Sequence, residues 1–169
     1  MKKVRFITGL WGTGKSSIVE YLNTKSFSNY VFIDFDFGGG HIPPTDRTLH
    51  KEWRIRQTKY WLKYGYSITE ENKTAIICGM SLYPSQLLEL SQAKKFDPAD
   101  IAFAHLTCSD TVRRKRLSQR GDEHIFEFKP WYNDWRSDLL KHNSYEIDTS
   151  SLTIEQVSAK VIKWLSDIN

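Results

Sequence analysis

The sequence predicts an α/β fold in which a central parallel sheet of five strands is covered by helices on both faces. Five short apolar runs end in small or polar residues, and segments with helical spacing of apolar residues separate them. The chain has 169 residues, of which 40% are hydrophobic, and it shows no internal repeat or long linker. We therefore expect one domain over residues 1–169.

The strands are expected at residues 4–8, 30–35, 74–79, 101–108 and 145–148. Apolar residues at positions 49, 53, 60 and 64 recur at helical spacing after the second strand. The last helix is the clearest, because Thr153 and Gln156 fit a capping box and an apolar stripe follows them. Residues 38–46 and 121–134 are expected to be loops, and both are long enough to cover a ligand.

Composition narrows the classes of function. The net charge of +4, from 24 Lys and Arg against 20 Asp and Glu, suits an anionic small molecule and argues against a nucleic-acid partner. No apolar run approaches the roughly 18 residues of a membrane span, and no export signal follows the charged start. Cys78 and Cys108 each end an apolar run, and this position predicts buried thiols in a reducing compartment. We expect a cytoplasmic protein, monomeric or homodimeric, with no membrane partner.

The strongest motif follows the first strand. Residues 9–16 read GLWGTGKS and match the phosphate-binding pattern G-x-x-x-x-G-K-[ST] at every fixed position. Glycines at such positions let backbone N–H groups surround a β-phosphate, Lys15 reaches the β- and γ-oxygens, and the Ser16 hydroxyl holds Mg²⁺. The residues expected to contact the nucleotide are Gly9, Gly12, Thr13, Gly14, Lys15, Ser16 and Ser17.

A nucleotide-binding loop alone does not identify the reaction. The N/T-K-x-D pattern that selects guanine is absent, and the third strand ends in Cys78 instead of a carboxylate for magnesium. Asp34 and Asp36 are expected on one side of the second strand, at the end where open α/β folds bind ligands. We predict that Asp34 binds Mg²⁺ and acts as the catalytic base while Asp36 contacts the acceptor, although the spacing leaves the exchange of these two roles open.

These motifs resemble those of the P-loop kinase superfamily, in particular the compact branch of shikimate, gluconate, adenylyl-sulfate and nucleoside or nucleotide kinases and chloramphenicol phosphotransferase. The resemblance covers nearly the whole chain and rests on residues 9–16, 34–36, 106–120 and 147–150. It implies a three-layer α/β/α P-loop NTPase fold, ATP and Mg²⁺ as cofactors, and a nucleotide and a small-molecule acceptor as partners. The resemblance does not imply shikimate as the acceptor. In shikimate kinases three glycines follow the third strand, whereas here the three glycines at 38–40 follow the second.

The resemblance also implies a lid of about residues 110–134, in which Arg116 and Arg120 contact the nucleotide and the transferring phosphoryl group. The spacing agrees in part, because Arg113, Arg116 and Arg120 would share one helix face and repel one another unless anions lie nearby. A solvated basic helix face is the alternative. The adenine is expected near the turn after the fifth strand, at residues 148–150.

In this family a segment corresponding to residues 41–66 covers the acceptor. We predict that Arg54 and Trp53 contact it, since guanidinium groups and aromatic faces suit a flat, anionic or hydroxyl-rich ligand. For Trp53, Tyr60 and Tyr64 the helical spacing also fits plain core packing, which is the commoner role of such residues.

Together the motifs predict an ATP- and Mg²⁺-dependent kinase whose catalytic residues are Lys15, Asp34, Arg116 and Arg120. Its acceptor would be a nucleoside-like, nucleotide-like or sugar-like small molecule. Two alternatives remain open: a polynucleotide 5′-hydroxyl kinase, and a nucleotide-dependent switch or binding ATPase that has no acceptor.

Overall fold

The centre of the fold is a parallel sheet. The structure, a computed structural model, describes residues 3–37, 44, 49–125, 127 and 130–168. Its strands are β1 (Val4–Gly9), β2 (Tyr30–Asp34), β3 (Thr74–Cys78), β4 (Ile101–Thr107) and β5 (Tyr145–Asp148). They lie in the order β2-β3-β1-β4-β5, and every neighbouring pair is parallel. The predicted five-stranded parallel sheet is confirmed. β1 is central, with β2 and β3 on one side and β4 and β5 on the other. The loop after β1 therefore lies at the switch point where such sheets bind ligands.

Helices cover both faces of the sheet. In the described part of the chain they are α1 (Lys15–Asn23), α2 (His50–Glu70), α3 (Pro84–Leu88), α4 (Asp110–Ser118), α5 (Trp131–Lys141) and α6 (Ile154–Asp167). Residues of α2, α3 and α5 share a core with Val4 and Phe6 of β1, whereas α1 and α6 share the opposite core with Ile7. Successive side chains of a strand point to opposite faces, so β1 supplies both cores. The three-layer α/β/α arrangement is thus confirmed.

The start of α6 has the capping box that the sequence predicted. The backbone N–H of Gln156 donates to Thr153 Oγ1 at 3.4 Å, and the backbone N–H of Thr153 donates to Gln156 Oε1 at 2.9 Å. From there Val157, Val161 and Trp164 are buried on one stripe against the sheet. The helix therefore docks through the predicted face.

The end of β2 differs from the prediction. The strand stops at Asp34, and Phe35 and Asp36 form a turn in which the Asp36 N–H donates to Asp34 Oδ1 at 2.9 Å. Strand alternation therefore ends there, and Phe37, which a continued strand would place on the same side as Ile33 and Phe35, is 74% exposed. The cause is the Asp34 side chain, which pairs with the backbone two residues on, as turn-forming Asp residues do.

The two predicted loops are described only in part. Of residues 38–46, the structure describes residue 44 alone. Of residues 121–134 it describes all but 126, 128 and 129. The described part includes a short 3₁₀ turn, Glu123–Ile125, and the first turn of α5. Among the described helices, none combines the length and the apolarity that a membrane crossing needs.

Candidate active site

Glycines set the path of the loop between β1 and α1. Gly12 and Gly14 have φ angles of 81° and 98°, in the left-handed region that favours glycine. At Gly9 the constraint is space, since a Cβ atom there would lie 2.6 Å from Thr13 Oγ1 and 2.7 Å from the Leu106 carbonyl oxygen. The loop therefore requires glycine at these three positions of the motif.

Lys15 opens α1 and turns its ammonium group back over this loop. Its Nζ atom donates to the carbonyl oxygens of Gly9 and Leu10, each at 2.7 Å. Burial lowers the pKa of Lys15 to about 8, although the nearby carboxylates of Asp36 and Asp34 act in the opposite direction. The loop thus holds one cation at its centre, with two carboxylates within electrostatic reach.

The N-terminus of α1 is arranged to bind an anion. Gly14 is its N-cap and has no side chain, so the first-turn N–H groups receive no side-chain cap. Ser16 and Ser17 follow in that turn, and both are exposed. Uncapped N–H groups and the helix dipole together attract phosphate groups.

Asp34 and Asp36 face this loop from the end of β2. We call residues 34–36 the carboxylate turn. Although Asp36 is open to solvent, desolvation by the surrounding protein and the neighbouring Asp34 raise the pKa of its carboxyl, against the effects of Lys15 and Arg54. A carboxyl with a raised pKa holds a proton more readily than an ordinary one, so the turn offers a group that can accept a proton. The Asp34 carboxylate and the Ser16 hydroxyl supply oxygen ligands of the type that Mg²⁺ prefers, so the residues fit this ion.

Arg116 joins the phosphate loop to the turn after β5. One of its terminal nitrogens donates to the Gly12 carbonyl oxygen at 3.2 Å and to Thr149 Oγ1 at 3.0 Å. The other donates to the Thr149 carbonyl oxygen at 2.8 Å, and Thr149 Oγ1 in turn donates to the Thr107 and Thr13 carbonyls. The guanidinium therefore fixes two walls of the nucleotide-binding region to each other.

Arg120 lies beyond the end of α4. The helix stops in a Schellman motif at Gly121, where the Asp122 N–H donates to the Leu117 carbonyl at 2.9 Å and the Gly121 N–H to that of Ser118 at 3.1 Å. Arg120 forms an ion pair with Asp122 at 2.7 Å, and its side chain is 61% exposed. It is therefore far less restrained than Arg116.

The other two arginines of α4 correct the picture of one basic face. Arg113 is buried, pairs with Asp110 at 2.7 Å and donates to the Ile125 carbonyl oxygen at 3.2 Å. Arg114 also pairs with Asp110 and reaches Glu127. The expectation that Arg113 shares an anion-facing surface with Arg116 and Arg120 is wrong, because Asp110 in the first turn of α4 neutralises it.

A cavity of about 310 Å³ adjoins the phosphate loop. Its lining includes Gly12 and Gly14, Ser17, Arg116, Arg120 and Thr149, together with apolar residues of the segment that leads into α6. The predicted adenine region, residues 148–150, thus contributes Thr149 to a cavity that begins at the phosphate loop. Polar groups at one end and apolar groups at the other suit a nucleoside with its phosphates.

A larger cavity, of about 720 Å³, lies on the other side of Arg120. Arg54 lines it, and the Nε atom of this half-buried residue has no hydrogen-bond partner among the described residues. The aromatic wall consists of Trp11, Tyr83, Trp131 and Trp135, with the Tyr83 hydroxyl donating to the Trp131 carbonyl at 3.1 Å. Cationic and aromatic groups thus converge on one space.

Trp53 does not reach this cavity. It is 4% exposed and packs edge-on against Phe35 with ring centroids 5.7 Å apart. The prediction that Trp53 contacts the acceptor is therefore replaced by core packing, since its side of α2 faces the sheet. Trp11 was missed as a wall residue because it occupies a variable position of the loop motif, where the pattern carries no information.

The fold is shared with solved structures that include two kinases. A sugar kinase from Janibacter sp. HTCC2649 has a TM-score of 0.60 at 18% identity, with 98% of this chain and 95% of that chain covered. For a gluconokinase from Sinorhizobium meliloti 1021 the values are 0.58 and 16%, with 99% and 93% covered. For the tunicamycin resistance protein of Deinococcus radiodurans they are 0.63 and 16%, with 98% and 96% covered. At these identities the similarity establishes the fold.

No curated protein matched the sequence. The family described as the KAP family P-loop domain matches residues 4–163. This range runs from the first residue of β1 into α6, and it includes the phosphate loop and both carboxylates. The chain belongs to the KAP family of P-loop domains.

Proposed function

We propose that the protein is an ATP- and Mg²⁺-dependent kinase that transfers the γ-phosphoryl group to a small nucleoside-like, nucleotide-like or sugar-like acceptor. The observation that carries this proposal is the position of Arg120, which lines both cavities. A guanidinium between a phosphate-binding cavity and a second, ligand-sized cavity is placed to neutralise charge on a phosphoryl group moving from one to the other. The sugar kinase and gluconokinase of the same fold are consistent with this reaction.

The smaller cavity is the proposed nucleotide site. The uncapped start of α1 and the glycines of the loop would bind the β-phosphate through N–H groups. Lys15 would exchange its loop carbonyls for β- and γ-oxygens, which its flexible stem permits. When bound, Mg²⁺ would neutralise phosphate charge, with Ser16 and Asp34 as its protein ligands.

The carboxylate turn is the proposed acceptor of the proton. The acceptor hydroxyl would give its proton to Asp34 or Asp36 as its oxygen bonds to the γ-phosphorus, while the bond from that phosphorus to the β-phosphate oxygen breaks and ADP leaves. We assign the base to Asp34 and the acceptor contact to Asp36; the exchange of these two roles is the alternative, and the raised pKa of Asp36 favours it. Residues of about 110–134, which carry Arg120, would close over the site during this step.

The larger cavity is the proposed acceptor site, covered by residues of about 41–66. Arg54 offers an incompletely bonded guanidinium near Asp36, which suits an anionic group on the acceptor. Trp11 and Trp131, whose ring centroids lie 6.0 Å apart, offer aromatic surface to a flat ring. Because Cys78 and Cys108 are both free thiols, we also propose a cytoplasmic location.

The test is transfer of labelled γ-phosphate from ATP to a panel of nucleosides, nucleotides, sugars, aminocyclitols and short oligonucleotides. We expect a small, anionic acceptor to be labelled, and labelling to be lost in Lys15→Ala and Asp34→Asn. Preferred labelling of oligonucleotide 5′ ends would indicate a polynucleotide kinase instead. ATP hydrolysis that no acceptor stimulates would favour a switch or binding ATPase and overturn the proposal.

A further inference from the structure

Two buried side chains of α2 converge on one backbone oxygen of the carboxylate turn. Gln57 Nε2 donates to the Phe35 carbonyl oxygen at 2.7 Å, and Trp61 Nε1 donates to the same oxygen at 3.0 Å. The two donors are four residues apart and so lie on one face of the helix. Both residues are buried, and together they occupy both lone pairs of that carbonyl.

The N–H group and the side chain of Phe35 are also fixed by their surroundings. Its N–H donates to the Cys78 carbonyl at 2.7 Å, and its side chain is fully buried. A Cβ atom on Gly79 would lie 2.2 Å from the Phe35 Cβ atom, so the backbone after β3 approaches as closely as glycine permits. Phe35 therefore has one available position, set by β3, Gly79 and α2.

Asp34 and Asp36 are the two neighbours of this fixed residue. Each carboxylate is one methylene from its own Cα atom, and a peptide group joins that Cα atom to Phe35, so its distance from the phosphate loop depends on where the Phe35 peptide groups lie. A shift of about 1 Å in a catalytic group is enough to cost roughly 10²-fold in rate. The hydrogen bonds from α2 thus act on the part of the chain from which both carboxylates project.

We infer that Gln57 and Trp61 are positioning residues, which clamp the Phe35 carbonyl and thereby aim Asp34 and Asp36 at the reacting groups. The clamp rests on the proposed function, since it assumes that these carboxylates serve phosphoryl transfer. Packing alone needs no amide at position 57, because an apolar side chain of similar size fills the same space without a buried polar group. Neither residue touches substrate in this scheme, and both act through Phe35.

The test removes one donor at a time. Gln57→Met keeps the volume of the side chain, whereas Trp61→Phe keeps an aromatic ring but is smaller. Gln57→Met and Trp61→Phe each delete a donor, and Thr69→Val is the matched control. Thr69 is buried in the same helix and donates to the Tyr66 carbonyl at 2.6 Å, away from the carboxylate turn. We expect kcat to fall roughly 10- to 100-fold in the two clamp variants, with the KM for ATP within about twofold of the parent, and no such fall in Thr69→Val.

A second readout is independent of turnover. Hydrogen exchange at the Phe35 and Asp36 amides should be about tenfold faster in both clamp variants, because the turn opens more often, and unchanged in Thr69→Val. Unchanged exchange in Gln57→Met and Trp61→Phe, or equal kcat losses in all three variants, would overturn the clamp. If the parent protein phosphorylates no acceptor, the proposed function fails, and the exchange comparison still decides whether the clamp exists.

Discussion

Replacing Arg120 separates catalysis from stability more sharply than any other change in the site. The Arg120–Asp122 pair has an N···O distance of 2.7 Å, but the arginine side chain is 61% exposed. Exposed pairs of this kind contribute at most about 1 kcal/mol, which corresponds to roughly 2–4 °C in Tm for a domain of this size. Arg120→Ala should therefore fold and melt nearly as the parent does.

The expected loss of activity is much larger. If Arg120 contacts the γ-phosphoryl group as charge moves toward the leaving oxygen, its removal should lower kcat by about 10²- to 10³-fold and change the KM for ATP far less. Arg120→Lys should recover little, because lysine keeps the charge but not the planar fork. Arg116→Ala should behave differently, with a lower Tm and weaker ATP binding, since it loses three hydrogen bonds to Gly12 and Thr149.

The assay is steady-state kinetics with a confirmed acceptor, beside thermal melts of the same preparations. Arg114→Ala is the matched control, because Arg114 pairs with Asp110 and Glu127 and lines neither cavity. Asp122→Asn removes the pairing carboxylate and keeps the arginine, but Asp122 also lines the larger cavity, so this variant serves as a control for Tm alone. If Arg120→Ala and Arg114→Ala lose equal, small amounts of kcat, and added salt reproduces the loss, Arg120 is a solvated charge and its catalytic role is refuted.

Three further changes test other parts of the site. ATP with Mg²⁺ at about 100 times Kd should stabilise the parent by about 2.7 kcal/mol, and Lys15→Ala should lose most of that gain in a thermal-shift assay; an unchanged shift would contradict the loop assignment. Gly9→Ala should lower both Tm and ATP affinity, because its Cβ atom would clash with the Leu106 carbonyl oxygen. Gly65→Ala should be nearly neutral, because the nearest atom to its Cβ atom would be 3.4 Å away. Burial lowers the pKa of His105 to about 4. Between about pH 6.5 and pH 4 the imidazole is therefore protonated in the unfolded chain and neutral in the folded chain. Stability should therefore fall by about 2 to 3 kcal/mol more in the parent than in His105→Gln between pH 7 and pH 4.5, measured by urea unfolding, and parallel losses would contradict this.

Local patterns were sufficient for the sheet and the phosphate loop. The loop motif specifies backbone conformation directly, because Gly12 and Gly14 have φ angles that other residues rarely adopt and Lys15 must begin the helix. The capping box of α6 is equally local, since Thr153 and Gln156 bond to each other. Such features involve residues within a few positions of one another, and a single sequence contains all of them.

Roles that depend on distant partners could not be predicted in this way. Arg116 bonds to Gly12 and Thr149, which are far from it along the chain. Arg113 is different, because its partner Asp110 lies three residues before it at helical spacing, and the sequence analysis overlooked this local pair. The end of β2 has a local and a distant contribution, because Asp34 bonds to the Asp36 N–H while Gln57 and Trp61 bond to the Phe35 carbonyl. The period of a strand indicates neither of them. Spacing locates a side chain on an element, but only packing decides what that side chain meets.

The two tryptophans at positions 11 and 53 show why the acceptor is the hardest part of the function to predict. Trp53 sits in an amphipathic helix, where an aromatic residue usually packs into the core, and it does so against Phe35. Trp11 sits in the loop that leaves β1 at the switch point of the sheet, where it is partly buried and forms a wall of the larger cavity beside Trp131 of α5. In the proposed function, specificity for the acceptor would depend on residues at variable positions of the motif, whereas its fixed positions would serve the nucleotide. An acceptor that stacks on Trp11 would contact the same loop that binds the phosphates, and Trp11→Leu should accordingly raise the KM for the acceptor while leaving the ATP-induced gain in Tm intact.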